Sequence, residues 1–267
     1  LFLTDWSHET SFETWKNTQK NGLFPIIANG LINGTNTFDC ASSSNTACLG
    51  NGKRFEMTFT PGKKYRIGLV GTQADGFLRF TIDNHKLTVI ANDLVPIVPY
   101  VTDSILLGSG QRYDIIVEAN QIVGNYWMRS IVELCNIVLN SNAYNIRGIV
   151  RYAGVSDTES DPTSTQSQIP NDCGDEISSS LVPHLEKTVG SATKEESLNL
   201  SWFYDVLGGL IFHWTLNTQT LEIDWAEPTL QMIQNGESLF PTDYNIKEIT
   251  VVNQVFNPAH FNFLSKA

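Results

Sequence analysis

From residue 54 onward apolar side chains return at every second position, and turn-forming residues interrupt them at short intervals. In RFEMTFTPGKKYRIGLV, Phe55, Met57 and Phe59 share one direction, and after Pro61-Gly62 the chain returns with Tyr65, Ile67 and Leu69. A period of two belongs to extended backbone, whose successive side chains leave on opposite faces. FLRFTIDNHKLTVIA repeats the device, with Asp83-Asn84-His85 as a hairpin turn and Leu87, Val89 and Ala91 on the return. Further strands are expected at TDSILLG, RYDIIVEA, NYWMRSIV and IRGIVRYAG. Such a run of short strands with regular turn signals predicts an all-β sandwich or barrel built of antiparallel sheet. Helix is scarce. Thr10-x-x-Glu13 forms a capping box for a short helix through Trp15, and Pro228 can open another toward Ile233.

The alternation divides the chain. Residues 1–155 carry the strand pattern, while 156–197, rich in Ser, Thr, Asp and Pro without apolar periodicity, reads as a linker. Residues 198–267 resume it in ESLNLSWF, LIFHWTLN, LEIDW and KEITVVNQ. Four strands are too few to close a second sandwich, so this unit is expected to be incomplete. Its apolar cargo (Trp202, Phe203, Ile211, Phe212, Trp214, Ile223 and Trp225) should need cover from outside the segment. The opening LFLTDW has no basic region or cleavage site and reads as mid-strand, so residue 1 is expected to lie inside a longer precursor.

A net charge of −11 repels phosphates, so nucleic acid and anionic membrane surfaces are poor partners. No apolar run approaches the roughly 20 residues that span a bilayer. Cys40, Cys48, Cys135 and Cys173 form no CxxC pair and have no histidine at metal-ligand spacing, which argues against zinc. The even cysteine count, with sequons at Asn33-Gly34-Thr35 and Asn199-Leu200-Ser201, favours a secreted, extracellular protein glycosylated at Asn33 and Asn199.

Self-contained catalytic motifs are missing: no GxSxG, HExxH, GxxxxGK or GxGxxG run occurs. The histidines never form His-x-His, and each has a structural reading. His8 neighbours Asp5 and Glu9, a local hydrogen-bonding context; His85 sits in a turn; His184 follows a proline in the linker; His213 occupies a strand position.

In their order and separation, DWSHETSFETW, NGLINGT, TPGKKYRIGLVGT, LTVIANDLVPI, GSGQRYDIIVEA and LEIDWAEPTL resemble the second domain of fungal, ascomycete-type laccase-like multicopper oxidases, running into the start of the third. The most specific element is Gly110-Gln111-Arg112-Tyr113-Asp114 after the ANDLVP strand. The resemblance implies a cupredoxin-like Greek-key β-sandwich over 1–155, the 156–197 linker, and an incomplete cupredoxin-like domain over 198–267. It implies a secreted parent that oxidises phenolic substrates and reduces O2 to water, with copper held in the first and third domains. The partners of this chain would then be the missing first and remaining third cupredoxin domains and phenolic small molecules.

The resemblance also implies that copper belongs to the parent, with none bound by this chain. No His-x-His or His-Cys-His run is intact, and no cysteine follows Cys173 to serve a blue-copper site. The chain alone is expected to be inactive. At the tail, Pro258 and His260 fall where the family carries a His-Pro-x-His-x-His run, but Asn257 and Asn262 replace the outer histidines. FNPAHFNF therefore reads either as a degenerate copper motif, with His260 a weak candidate ligand, or as an ordinary end. Asp75, in GTQADGF, matches the acidic residue that such enzymes place in the substrate pocket, where a carboxylate accepts the phenolic proton. Gly76-Phe77 depart from the polar residues common there, and Asp75-Gly76 also reads as a plain turn pair. Cys135 with Cys173 matches a family disulfide, whereas Cys40 with Cys48 rests on proximity alone. The competing reading is a copper-free cupredoxin module that binds a partner or small ligand.

Overall fold

The computed structural model describes every residue except 23, 43–47, 51, 134–138, 157–159, 166–168, 170–172, 189, 192–196, 206–210, 219, 221–223, 225, 237–255, 258–259 and 262–267. Contacts divide the chain into two units: Leu1–Thr10 with Phe24–Lys187, and Ser11–Leu23 with Thr188–Ala267.

In the first unit the strands run β1 (Phe2–Trp6), β2 (Ile26–Ile27), β3 (Asn29–Ile32), β4 (Phe55–Phe59), β5 (Lys64–Gly71), β6 (Phe77–Ile82), β7 (Leu87–Asn92), β8 (Val95–Thr102), β9 (Ile105–Leu107), β10 (Arg112–Glu118), β11 (Asn125–Glu133), β12 (Leu139–Asn140) and β13 (Arg147–Tyr152). They form a six-stranded sheet in the order β3-β1-β5-β10-β7-β8, a five-stranded sheet in the order β4-β13-β11-β6-β9, and a small β12-β2 pair. The alternation does what it promised: Ile67 and Leu69, Leu87 and Val89, and Tyr113, Ile115 and Val117 are buried at every second position. Between the sheets lie Phe59, Phe80, Tyr113 and Tyr152, none more than 1% exposed.

The turns behave differently from the hairpin reading. β4 and β5 flank Pro61-Gly62 yet lie in different sheets, and so do β6 and β7 on either side of Asp83-Asn84-His85. These turns carry the chain across the sandwich. Alternation fixes which face a residue takes, but not which strand lies beside it. A true two-residue hairpin joins β7 to β8, with positive φ at Asp93 (42°) and Leu94 (70°). Parallel pairs, β1 with β5 and β4 with β13, complete the sheets.

The outward row of the five-stranded sheet is charged, as alternation requires, and most of it is buried, with Glu56 the exposed member. Arg79 pairs with Glu133, and Arg129 holds Asp83 with two hydrogen bonds of 2.7 Å. Arg151 grips Glu56 in the same bidentate fashion at 2.7 and 2.8 Å. Part of the cover comes from the stretch read as linker. Ser164 donates to Asp83 (2.8 Å) and accepts the Trp127 N–H (3.0 Å), and the Ser160 carbonyl accepts from Arg151 (3.2 Å). Further on, the Val98 N–H donates to the Val182 carbonyl and the His184 N–H to the Pro96 carbonyl, each at 2.8 Å. Up to Lys187 this stretch belongs to the sandwich. Its composition disguises the fact, because most of its described polar side chains face water while its backbone and the Ser164 hydroxyl bond the sandwich.

The second unit contains helix α1 (Ser11–Asn21), strands β14 (Leu200–Asp205) and β15 (Ile211–Leu216), helix α2 (Thr229–Gln234), and the two-residue strands β16 (Phe256–Asn257) and β17 (His260–Phe261). β14 and β15 pair antiparallel from Leu200↔Leu216 to Asp205↔Ile211. α1 starts directly after Thr10 and extends past Trp15, and α2 follows Pro228, whose φ of −63° suits a helix entry. Trp202, Phe203, Tyr204 and Trp214 are exposed, as are Phe12 and Trp15 of α1. The strand expected at KEITVVNQ, and the cargo residues Ile223 and Trp225, lie outside the described residues.

Candidate functional site

The loop carrying Asp75 spans residues 72–76, between β5 and β6. Its entry is fixed by the strand beside it. The Thr72 N–H donates to the Leu3 carbonyl (2.7 Å), and the Thr4 hydroxyl donates to the Thr72 carbonyl (3.2 Å). Gly71 is required here, since a Cβ would stand 2.5 Å from the Gly108 carbonyl oxygen. That close approach lets the Gly110 N–H reach the Gly71 carbonyl at 2.8 Å.

Two side chains then hold the loop from opposite directions. Gln73 points inward, 3% exposed, and its amide donates to the Leu107 carbonyl (2.8 Å) and at longer range to that of Gly76 (3.5 Å). The Asp5 carboxylate, on β1, accepts the Ala74 N–H (3.0 and 3.1 Å) and the Asp75 N–H (2.8 Å). Gly76 turns the chain with a φ of 74°, which glycine adopts without strain. Asp75 itself is exposed, and its carboxylate takes no hydrogen bond among the described residues. A loop held by Asp5 and Gln73 thus presents this carboxylate to solvent. Phe77, partly exposed, follows it, so the neighbourhood is apolar on that side.

The Gly110–Asp114 run serves the same region from behind. Gln111 accepts the Gly108 N–H (2.8 Å) and donates to the Tyr113 hydroxyl (3.0 Å), which in turn donates to Glu176. Burial, and then the hydrogen bond to Glu176, pushes the Tyr113 hydroxyl far above the ordinary phenol range, so it stays a donor. Tyr100 is raised by burial and by Glu176. A half-open pocket of about 400 Å³ lies alongside, lined by Arg79, Tyr100, Asp103, Ser104, Asp175 and Glu176 among others. Burial raises the Asp175 carboxyl, against the pull of Arg79.

The remaining sequence candidates separate from this loop. His85 is 2% exposed, between the Asp83 carbonyl (2.8 Å) and the Tyr152 hydroxyl (2.7 Å), edge-on to Tyr126. Burial lowers its proton affinity, and Asp83 raises it in part. His8 stands edge-on to Phe38, and His213 stacks on Phe203. His184 contributes its backbone N–H. Asn33 is exposed at a positive φ of 49°, its Oδ1 accepting the Phe2 N–H. Asn199 is exposed at the start of β14.

Cys40 and Cys48 form a disulfide with Cα atoms 5.6 Å apart. Cys173 is disulfide-bonded, and Cys135, its expected partner, lies outside the described residues. His260 sits opposite Asn257 in the β16-β17 pair, while Pro258 and Asn262 lie outside the described residues. The donor chemistry does not fit copper: the described cysteines are disulfide-bonded and offer no thiolate, and asparagine is a poor substitute for imidazole. Among the described residues no group of three or more His, Cys, Asp or Glu could hold a metal ion.

Sequence reading missed Asp5, Gln73 and Glu176. Asp5 reaches its partners across 69 and 70 positions, and nothing in DWSHET signals that distance.

The family model for multicopper oxidases matches residues 1–155. Laccase-2 of Botryotinia fuckeliana is 46% identical over 92% of this chain, a stretch that spans 41% of that protein. Laccase-1 of the same fungus is 43% identical over 92% of this chain and 40% of its own length. Among solved structures, the laccase from Botrytis aclada superposes with a TM-score of 0.83 at 41% identity, covering 98% of this chain and 54% of that one. Fet3p, a multicopper oxidase, shares the fold at a TM-score of 0.65 and 17% identity. The all-β fold expected from the strand pattern, and the cupredoxin-like character that the resemblance implies, are the ones observed.

Proposed function

Since this chain belongs to the multicopper oxidases and is laccase-like, we propose that it forms the middle cupredoxin domain, and the start of the third, of a longer secreted fungal enzyme. That enzyme oxidises phenols and reduces O2 to water. The curated relatives are two to three times longer than the stretch they share with this chain, which supports a multidomain parent. The first and remaining third cupredoxin domains are then its partners, and they hold the copper. This chain binds none and is inactive alone. Disulfides and exposed Asn33 and Asn199 sequons suit an oxidising, extracellular setting.

The observation that carries the functional reading is the exposed, uncommitted Asp75 carboxylate on a doubly held loop. In the parent, copper supplies the electron acceptor. The contribution of this chain is the other half of the phenol's oxidation: as the ring loses one electron, the O–H bond breaks and its proton passes to Asp75. Phe77 beside it offers apolar contact to the aromatic ring.

In the full-length, copper-loaded enzyme, Asp75→Asn is expected to lower phenol turnover by about 10²-fold, the lower end of general-base contributions. A one-electron donor with no ionisable proton should be oxidised as before. Equal loss on both donors would assign Asp75 a structural role and overturn the reading.

A further inference from the structure

We infer that Asp5 is the positioning residue for Asp75, fixing the backbone that carries the proton acceptor; this rests on the reading of Asp75 given above.

The geometry begins with two strands that part. β1 runs parallel to β5 with Phe2 opposite Val70 and Leu3 opposite Gly71. After Gly71 the second strand turns away into the 72–76 loop, while β1 continues, held on its other side by β3 through Asp5↔Gly30. Asp5 is the second residue of β1 beyond the parallel pairing, after Thr4, whose hydroxyl donates to the Thr72 carbonyl. It sits on a paired strand, and its carboxylate spans the gap to the loop.

Two consecutive backbone N–H groups, of Ala74 and Asp75, converge on that one carboxylate at 2.8–3.1 Å. An acceptor that carries full negative charge binds such donors more strongly than a neutral oxygen does. Gln73, between them and the sheet, is anchored to the Leu107 carbonyl. The loop is thus held by Asp5 and by Gln73, and the exposed Asp75 carboxylate takes no hydrogen bond among the described residues. Reaction rates are steep in position: a misplacement of about 1 Å can cost on the order of 10²-fold. Each candidate replacement at residue 5 predicts its own result. Alanine removes the acceptor. Asparagine keeps the shape but leaves one acceptor oxygen where there were two. Glutamate keeps the charge on a longer arm.

The test uses the full-length, copper-loaded enzyme with Asp5→Ala, Asp5→Asn, Asp5→Glu, Asp75→Asn and the double variant Asp5→Ala/Asp75→Asn. KM and kcat are measured on a phenol and on a non-phenolic one-electron donor. Asp5→Ala is expected to lower kcat for the phenol by about tenfold, with the non-phenolic donor unaffected. Asp5→Asn should fall in between, and Asp5→Glu should recover most of the loss. In the double variant the Asp5 change should cost nothing beyond Asp75→Asn. If Asp75→Asn lowers phenol turnover but Asp5→Ala does not, or if the two losses multiply, Asp5 does not act through Asp75 and the inference is overturned. If Asp75→Asn leaves phenol turnover unchanged, the reading of Asp75 itself fails and takes this inference with it. Should Asp5→Ala not fold, the near-isosteric Asp5→Asn decides by the same criteria.

Discussion

The sandwich and the β14-β15 hairpin are written in the same aromatic alphabet and treat it in opposite ways. Phe59, Phe80, Tyr113 and Tyr152 are sealed between two sheets, whereas Trp202, Phe203, Tyr204 and Trp214 stand exposed on one antiparallel pair. Alternation supplies a row of apolar side chains, but only a second layer turns that row into a core. Stability in this chain should accordingly be concentrated in the first unit, and the hairpin aromatics should contribute little to it.

The sharpest way to break that comparison is a pair of truncations. Phe80→Ala is expected to destabilise the chain by about 3–5 kcal/mol in urea unfolding, and Trp214→Ala by well under 1 kcal/mol, in the range of ordinary surface changes. Similar losses for both would show the hairpin aromatics to be as well covered as the core.

Charge offers the same contrast within the sandwich. Arg129→Ala leaves Asp83 buried without its partner and should cost about 3–5 kcal/mol. Lys64→Ala, which removes an exposed pair with Glu118, should cost no more than about 1 kcal/mol. Ser164→Ala tests whether the stretch after residue 155 is part of the sandwich. Losing its bonds to Asp83 and the Trp127 N–H should cost about 1 kcal/mol, where a free linker would show no change.

His85 extends the contrast to pH. Its proton affinity is lowered in the folded state, mainly by burial, so the unfolded chain takes up the proton first. Stability should therefore fall as pH drops through the unfolded value near 6.5, and stop falling below the folded value. Measured as Tm between pH 7.5 and 5, that decline should be shallower in His85→Gln. An identical slope would place the acid sensitivity in other groups.

The smallest effect is on stability and the clearest is on mass. Asn33 lies in one unit and Asn199 in the other, and both are exposed. Glycopeptide mapping of secreted material should find both occupied, with little change in unfolding on their removal. Unmodified asparagines would withdraw the sequons as support for secretion.

How much of this was legible beforehand follows from what each feature depends on. Leu87, Val89 and Ala91 could be assigned to the core because burial and alternation share a period. The crossing at Asp83-Asn84-His85 could not, because a tight turn looks alike whether it closes a hairpin or changes sheets. The buried row of Arg79, Arg129 and Arg151 reads as a solvated face until its carboxylates are brought up from 46 to 95 positions away. Asp75 was legible only through resemblance, and Asp5 not at all, since its hydrogen bonds are to backbone, and backbone donors leave no mark in a sequence.

The return of residues 182–184 along β8 has a consequence for the protein's life among other copies of itself. β8 is the outermost strand of the six-stranded sheet, and a strand in that place offers unpaired backbone groups as a template for a neighbour's chain. Here Pro96 and Pro99 remove two donors outright. The antiparallel bridge of Ile97 to Pro183, with its flanking bonds at Val98 and His184, occupies others. A segment that composition alone assigns to passive connection therefore acts as a selvedge, finishing the sheet where it would otherwise fray into aggregation.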